Sequence, residues 1–375
     1  MKPLAVCVVV GTRPEAIKLA PVVSAARARP EAFTVSVVRT GQHGELVDQL
    51  MREFDLPGEA DLHVMQPDQD LAHVMAESVR GLSALFGRLR PDWVLVQSDT
   101  TSTFAGALAA FYQSIRIGHV EAGLRTGNRR SPFPEEANRA LTARLADLHF
   151  APTEQARQNL LREGLDDAAI VVTGNTVIDA LHLALAADVG APIAGPAQTP
   201  YVLATVHRRE NHGAALARIC DGLAALLLRR PELTVWLPMH PSPRVRRVLE
   251  QRLGSHPRVR LTEPLGYRAF VRALAGAVLV LTDSGGIQEE CTALGKPVLV
   301  LRDRTERAEA IDAGVALLVG TQADRIAETA AGLLENVERY RAMTKPSAAF
   351  GAGTAAHSIL EALLQWRGTK AAEPG

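Results

Sequence analysis

Cysteine is scarce in this chain of 375 residues, occurring only at Cys7, Cys220 and Cys291. The three stand far apart, form no CxxC pair and make an odd set. That excludes a disulfide scaffold and reads as reduced, buried thiols of a cytoplasmic protein. No apolar run reaches the roughly 18 residues that a bilayer span requires, so no membrane association is expected. Met1-Lys2-Pro3 followed by Leu4 to Val10 is too short an apolar stretch for a signal peptide. Gly11-Thr12-Arg13-Pro14 lacks a small-residue cleavage pattern, so the segment reads as a first strand. Excess charge of either sign is also missing: 41 basic and 41 acidic residues cancel. Without a global basic field, nucleic acid is not an expected partner. The histidines have no metal-ligand spacing, and no metal is expected. The first turn lacks GxGxxG, which argues against a nicotinamide, and no cofactor is expected.

What is present is a repeated alternation. Apolar runs of four to eight residues, Leu4–Val10, Thr34–Arg39, Trp93–Gln97, Ile115–His119 and Leu148–Ala151, are separated by amphipathic stretches. The helices between them are predicted near Glu15–Arg27, Gly44–Glu53, Leu71–Arg90, Thr101–Tyr112, Glu135–Ala146 and Glu154–Glu163. A stretch rich in Ala, Gly and Pro over Asp188–Pro200 reads as a linker. Strands resume at Tyr201–Thr205, Thr234–Leu237, Val259–Thr262, Val278–Thr282 and Pro297–Leu301. Strand–helix alternation implies α/β architecture with parallel sheets covered on both faces, here two doubly wound, Rossmann-like domains. The expected division is residues 1–180, residues 190–353, and a terminal helix over 354–367 that packs back on the first domain. Ligands of such folds lie beyond the carboxyl ends of the strands.

Two strand-to-helix turns look built to meet an anion. In Gly11-Thr12-Arg13-Pro14-Glu15-Ala16-Ile17-Lys18, Arg13 and Lys18 crowd a helix start, where cations oppose the helix dipole by roughly 0.3–1 kcal/mol each. In Thr282-Asp283-Ser284-Gly285-Gly286, two glycines let backbone amides approach a ligand at a helix N-terminus. The pair is expected to face a nucleotide diphosphate across a cleft between the domains. Other charged residues fall at strand ends. Asp99 reads either as an N-cap for the helix near Thr101 or as a catalytic acid. Glu121 reads as an i,i+4 partner of Arg125, or as a site acid, since Gly123 and Gly127 suggest an irregular loop rather than a helix. Glu135 could pair with Arg139. His207-Arg208-Arg209 looks like a phosphate contact, and Arg302, Arg304 and Arg307 are a solvated cluster or a phosphate grip. If Asp99, Glu121 and Glu135 converge, burial and repulsion should push their pKa values apart, as proton removal and return require.

Five segments taken together resemble one family. They are Gly11-Thr12-Arg13-Pro14-Glu15-Ala16-Ile17-Lys18, His119-Val120-Glu121-Ala122-Gly123-Leu124-Arg125-Thr126-Gly127, Pro134-Glu135-Glu136-Ala137-Asn138-Arg139, His207-Arg208-Arg209-Glu210-Asn211 and Thr282-Asp283-Ser284-Gly285-Gly286-Ile287-Gln288-Glu289-Glu290. In order and over residues 4–360, they are similar to the bacterial non-hydrolysing UDP-N-acetylglucosamine 2-epimerases. The resemblance implies the GT-B architecture and interconversion of UDP-N-acetylglucosamine and UDP-N-acetylmannosamine. It implies that Arg13, His207, Ser284, Gly285, Gly286 and Arg307 hold the diphosphate, Glu290 the ribose, and Phe270 the uracil. Lys18, Asp99, Glu121 and Glu135 would surround the sugar. A second nucleotide site for activating substrate would involve Gln42, His43, Gln69, Arg209 and His240, and a homodimer is the family expectation. Gln97-Ser98 departs from the pattern, which has histidine and glycine before the aspartate. Rival readings are a GT-B glycosyltransferase, a hydrolysing epimerase and a non-enzymatic nucleotide-sugar sensor.

Overall fold

The computed structural model describes residues 2–41, 44–56, 58–66, 69–187 and 199–370; the side chains of 44–46, 209 and 367–370 are outside the description. The chain divides into two compact units, Met1–Leu183 with Gly351–Gly375, and Ala184–Phe350.

In the first unit, strands β1 (Leu4–Val10), β2 (Phe33–Arg39), β3 (Ala60–Asp61), β4 (Trp93–Gln97), β5 (Arg116–Val120), β6 (Leu148–Ala151) and β7 (Ile170–Val172) form one sheet. Its order is β3-β2-β1-β4-β5-β6-β7, and every pairing is parallel. Connecting helices are α1 (Arg13–Arg27), α2 (Gly44–Glu53), α3 (Leu71–Leu89), α4 (Thr101–Tyr112), α5 (Glu135–Leu145), α6 (Glu154–Arg162) and α7 (Thr176–Ala187). The order reverses direction between β1 and β4, the switch point at which such sheets open a crevice. β1 consists of Leu, Val, Ala and Cys because both its faces are covered, and six of its seven residues are buried.

The second unit repeats the plan with β8 (Tyr201–Thr205), β9 (Thr234–Pro238), β10 (Val259–Thr262), β11 (Leu279–Thr282), β12 (Val298–Val300) and β13 (Ala316–Leu318) in the order β10-β9-β8-β11-β12-β13. Its helices are α8 (Ala214–Arg229), α9 (Pro243–Leu253), α10 (Tyr267–Gly276), α11 (Gly285–Leu294), α12 (Ala308–Asp312), α13 (Ala323–Glu335) and α14 (Val337–Met343). Leu223 and Leu226 of α8 join Ile326 and Ala330 of α13 in one core with Val202, Leu279 and Leu299 of the sheet. The chain then returns to the first unit as α15 (Ala355–Lys370). Asp179 of α7 accepts the amides of Ala355 and Ala356 at 3.2 and 2.9 Å. Trp366 meets Trp93 edge-on at 6.4 Å, and Arg29 pairs with Glu361 at 2.5 Å.

The strands and first-unit helices that the sequence placed are found within about two residues, and the terminal helix runs three residues past its expected end; β3, β7, β13, α7 and most helices of the second unit were not anticipated. Most of the expected linker, residues 188–198, lies outside the described residues, as does the tail from 371. Among the described residues no helix is long and apolar enough to cross a membrane. Among them, too, no group of three or more His, Cys, Asp or Glu could hold a metal ion.

Candidate active site

The carboxyl edge of the first sheet collects acids. α1 opens with a capping arrangement in which Glu15 turns back on its own turn. The buried Glu15 carboxylate accepts the amides of Gly11 at 2.9 Å and Thr12 at 2.5 Å. It also takes the hydroxyls of Thr100 at 2.6 Å and Thr103 at 2.8 Å from the start of α4. The Gly11 and Thr12 amides are therefore taken by the chain's own Glu15. A Cβ on Gly11 would lie 2.2 Å from Ser102 Oγ, so only glycine lets the turn sit against α4. Arg13 is half-buried at the first helical position. Lys18 turns inward from α1, and its Nζ lies 2.5 Å from Glu121 Oε1 with both side chains almost completely enclosed.

Glu121 follows β5, with φ of 59°. Its carboxylate also accepts Asn175 Nδ2 at 2.9 Å and a close hydrogen bond from Gln97 Nε2. Arg125 does not pair with Glu121 at all; it forms a two-point bond to Glu163 at 2.7 and 2.8 Å, since Gly123 ends any helical register between them. Asp99 is not the N-cap of α4. Thr100 is, accepting the Thr103 amide at 3.1 Å, while the Asp99 side chain pairs closely with the buried Arg139. Arg139 is consequently unavailable to Glu135. Its second contact is Glu136 at 3.3 Å, and Glu136 in turn ties the amides of Thr126 and Gly127 at 3.0 Å each. Glu135 begins α5, and its Oε2 is buried with no hydrogen-bond partner among the described residues. Asp99 and Glu121 follow adjacent parallel strands, Gln97 pairing with Val120 in register. Arg139 and Asn138, which donates to the Asp99 carbonyl at 3.0 Å, bring the start of α5 to the same edge.

Ser98, between Gln97 and Asp99, has φ of 62°. That left-handed conformation favours glycine, which explains why serine is a departure at this position. Its amide donates to Val120 O at 2.9 Å, and its carbonyl lies 2.7 Å from His119 Nε2. Burial pushes the His119 imidazole down to about 3, so the ring is neutral and donates that bond. Two backbone outliers next to two acids are the kind of strain that clusters at functional sites.

The carboxyl edge of the second sheet presents His207 and arginines. His207 ends the segment after β8 and is more than a third exposed. Its ring lies 3.1 Å from the completely buried Asp283 after β11. Asp283 also takes the amides of His207 at 3.1 Å and Arg208 at 2.9 Å, and Asn211 Nδ2 at 2.9 Å. Burial alone would raise this carboxyl; the bonds from His207, Arg208 and Asn211 outweigh it and hold it at about 2. Arg307, before α12, donates from Nε to Glu289 Oε1 at 2.6 Å and is buried. Its guanidinium lies beside Gly285, where a Cβ would come within 3.2 Å of Cζ. Glu306 faces Arg302 at 2.7 Å, with Arg208 and Arg307 both at 3.7 Å. Although burial opposes it, these arginines hold Glu306 at about 2. Arg304 is exposed and joins none of these pairs.

Ser284 caps α11, but its amide donates to Thr282 Oγ1 at 3.0 Å. Gly285 and Gly286 form the first turn of α11, whose amides no residue of the same turn can satisfy, and a Cβ at Gly286 would meet nothing within 4 Å. Glu290, on the same helix, accepts the Tyr267 hydroxyl at 2.8 Å, and Phe270 lies one turn further along α10, half-buried. Of the second-site residues, Gln42 and His43 lie outside the described residues, as does the Arg209 side chain. Gln69 accepts the Gln66 amide at 2.6 Å, and exposed His240 stacks on His207 at 5.9 Å between ring centroids. Sequence reasoning assigned no role to Glu15, Asn175, Tyr267, Asp283, Glu289 or Glu306, although Glu15, Asp283 and Glu289 lie inside quoted motifs.

The family model for UDP-N-acetylglucosamine 2-epimerase matches residues 25–364. The chain belongs to that family. It is 46% identical to UDP-N-acetylglucosamine 2-epimerase of Escherichia coli K12 over 371 residues, covering 96% of this chain and 98% of the relative. Identity is 44% to the Bacillus subtilis protein of the same description, covering 100% and 98%. A crystal structure of UDP-GlcNAc 2-epimerase from Neisseria meningitidis bound to UDP-GlcNAc matches with a TM-score of 0.93 and 42% identity, over 96% of this chain and 100% of that one. The Methanocaldococcus jannaschii enzyme in complex with UDP-GlcNAc and UDP matches at 0.84 and 30%, over 96% and 100%. The family is one of epimerases.

Proposed function

We propose that this epimerase interconverts UDP-N-acetylglucosamine and UDP-N-acetylmannosamine by eliminating UDP and adding it back. A carboxylate of the first unit removes the C2 proton. The C–H electron pair forms the C1–C2 double bond while the C1–oxygen bond breaks and its electrons leave with UDP. The β-phosphate oxygen then attacks C1 of the resulting glycal as a proton reaches the opposite face of C2. Nothing is oxidised, which is consistent with a site that needs no redox cofactor.

Asp99 and Glu121 are the C2 acid–base pair in this reading, with Glu135 assisting and Lys18 neutralising Glu121. Protonation on two faces requires two such groups, each contributing about 10²–10⁴ in rate. Negative charge on departing UDP goes to Arg13, His207, Arg307 and the Gly285 and Gly286 amides. One well-placed donor of this kind is worth about 10²–10³ in rate. Glu290, with Tyr267, takes the ribose hydroxyls, and Phe270 packs by the uracil. The observation that carries the reading is the pair of acids after adjacent strands, each held against a buried cation, in a chain whose solved relative binds UDP-GlcNAc.

A cytoplasmic homodimer is the setting we infer, with Gln69, Arg209 and His240 joined by Gln42 and His43 in a second site for activating substrate. Incubation with UDP-N-acetylglucosamine alone, followed by NMR at C1 and C2, tests the function. Signals of UDP-N-acetylmannosamine are expected. Free N-acetylmannosamine with UDP would replace this reading with the hydrolysing reaction, and no turnover without an acceptor would replace it with glycosyl transfer.

A further inference from the structure

Glu121 is an acid that the fold has surrounded with donors. Lys18 and Asn175 both reach Oε1, at 2.5 and 2.9 Å, and Gln97 reaches Oε2. The donors come from three separate places: helix α1, the turn after β7, and the last residue of β4. Gln97 is 1% exposed and Asn175 is 1% exposed, so neither amide is there for solubility. A buried amide costs free energy unless its hydrogens are satisfied, and here both are directed at one carboxylate. We propose that Gln97 and Asn175 are positioning residues for epimerisation: two amides that fix the plane of the Glu121 carboxylate without carrying a proton of their own.

The chemistry favours amides for this task. A carboxylate that exchanges a proton with carbon must present one oxygen along the C–H direction, and the positional tolerance of such transfers is small. Lys18 alone would hold Oε1 and leave the group free to rotate about that contact. Gln97 on Oε2 removes the rotation. An amide has no titratable proton near neutrality, so it cannot compete with Glu121 as the acid or base. Asn175 is itself fixed: its Oδ1 accepts the Val177 amide at 3.1 Å at the start of α7. Gly174 before it has φ of 85° and lies against Gly351, where a Cβ would come within 2.9 Å of Gly174 Cα. The clamp is thus tied both to the central sheet and to the segment by which the chain re-enters the first unit. The backbone of Glu121, in its left-handed conformation, is held at the same point.

This inference rests on the acid–base role of Glu121. The test measures kcat and KM for UDP-N-acetylglucosamine, and the rate of deuterium entry at C2 in D₂O, for the full chain and four variants. Gln97→Met keeps the length of the side chain and removes the donor. It should lower kcat and deuterium entry together by about 10- to 100-fold, the weight of one hydrogen bond to a charged group, with KM changed less than about threefold. Asn175→Asp keeps the cap on α7 and replaces the donor by an acceptor; a loss at least as large in kcat is expected. Gln97→Glu puts a second carboxylate against the first and should lose most. Gln97→His restores an N–H donor of similar reach and should recover most of the rate lost in Gln97→Met. Unfolding midpoints of all variants are measured alongside. Full kcat in Gln97→Met, or a rise in KM with kcat unchanged, overturns the proposal while the epimerase reading stands. Failure of Gln97→His to recover rate in a folded protein overturns it as well. If the unaltered chain neither epimerises nor exchanges C2, the epimerase reading itself has failed.

Discussion

The two sheets end in opposite ways. At the carboxyl edge of the first, the groups suited to chemistry are acids, and the buried groups that hold them are cations and amides: Lys18, Asn175 and Gln97 for Glu121, Arg139 for Asp99. In the second, the groups suited to binding are His207 and Arg307, and buried acids hold them: Asp283 for His207, Glu289 and Glu306 for Arg307. In the proposed reaction, the same doubly wound plan would serve proton transfer in one unit and anion binding in the other, with a different set of groups buried in each. The buried member costs desolvation in each case, and removing it strands its partner. Each unit consequently predicts a different failure when its inner partner, or its outer group, is taken away.

The largest effect should come from Glu121→Gln, which removes an acid–base group and leaves the second unit intact. Epimerisation should fall by about 10²–10⁴, while UDP affinity by calorimetric titration stays within about threefold. Loss of UDP affinity instead would erase the division of labour between the units. Acid should next distinguish them. His119 is neutral in the first unit, with its pKa lowered to about 3 from 6.5. The unfolded chain therefore takes up a proton that the native chain refuses. The stability this group confers is complete above pH 6.5 and is lost as pH falls toward 3. Relative to His119→Gln, the native chain should lose about 2 kcal/mol between pH 6.5 and 5, read from urea midpoints. The second unit should respond only in stronger acid. Asp283 has its pKa lowered to about 2 from 3.8. Its contribution is complete above pH 3.8 and vanishes as pH falls through 2. Asp283→Asn should therefore cost about 2 kcal/mol at pH 7 and weaken UDP binding without changing the His119 titration. The smallest effect belongs to Ser98→Gly. It relieves a left-handed serine worth about 1–2 kcal/mol but adds roughly 0.5–1 kcal/mol of glycine entropy. A net gain of about 0.5 kcal/mol is expected, with kcat unchanged within about twofold.

Elements with strong local signals were legible in the sequence. β1 and β4 are buried on both faces and read as unbroken apolar runs. β3 has two residues, and β7 and β13 have three each, too short for any period to register. At the site, the acids and cations that end strands were visible because a charge after an apolar run is conspicuous. Their partners were not, because the pairings are long-range: Lys18 with Glu121 across 103 positions, Arg139 with Asp99 across 40. Local spacing misled in the same way. The i,i+4 rule joined Glu121 to Arg125 and Glu135 to Arg139, while the fold sends those arginines to Glu163 and Asp99.

Turnover of UDP-N-acetylglucosamine in D₂O, with no acceptor added, tests proton exchange at C2 most directly. The account predicts UDP-N-acetylmannosamine carrying deuterium at C2 and, as the reaction reverses, deuterium entering the substrate pool at the same carbon. Epimer formed without deuterium at C2 would contradict it.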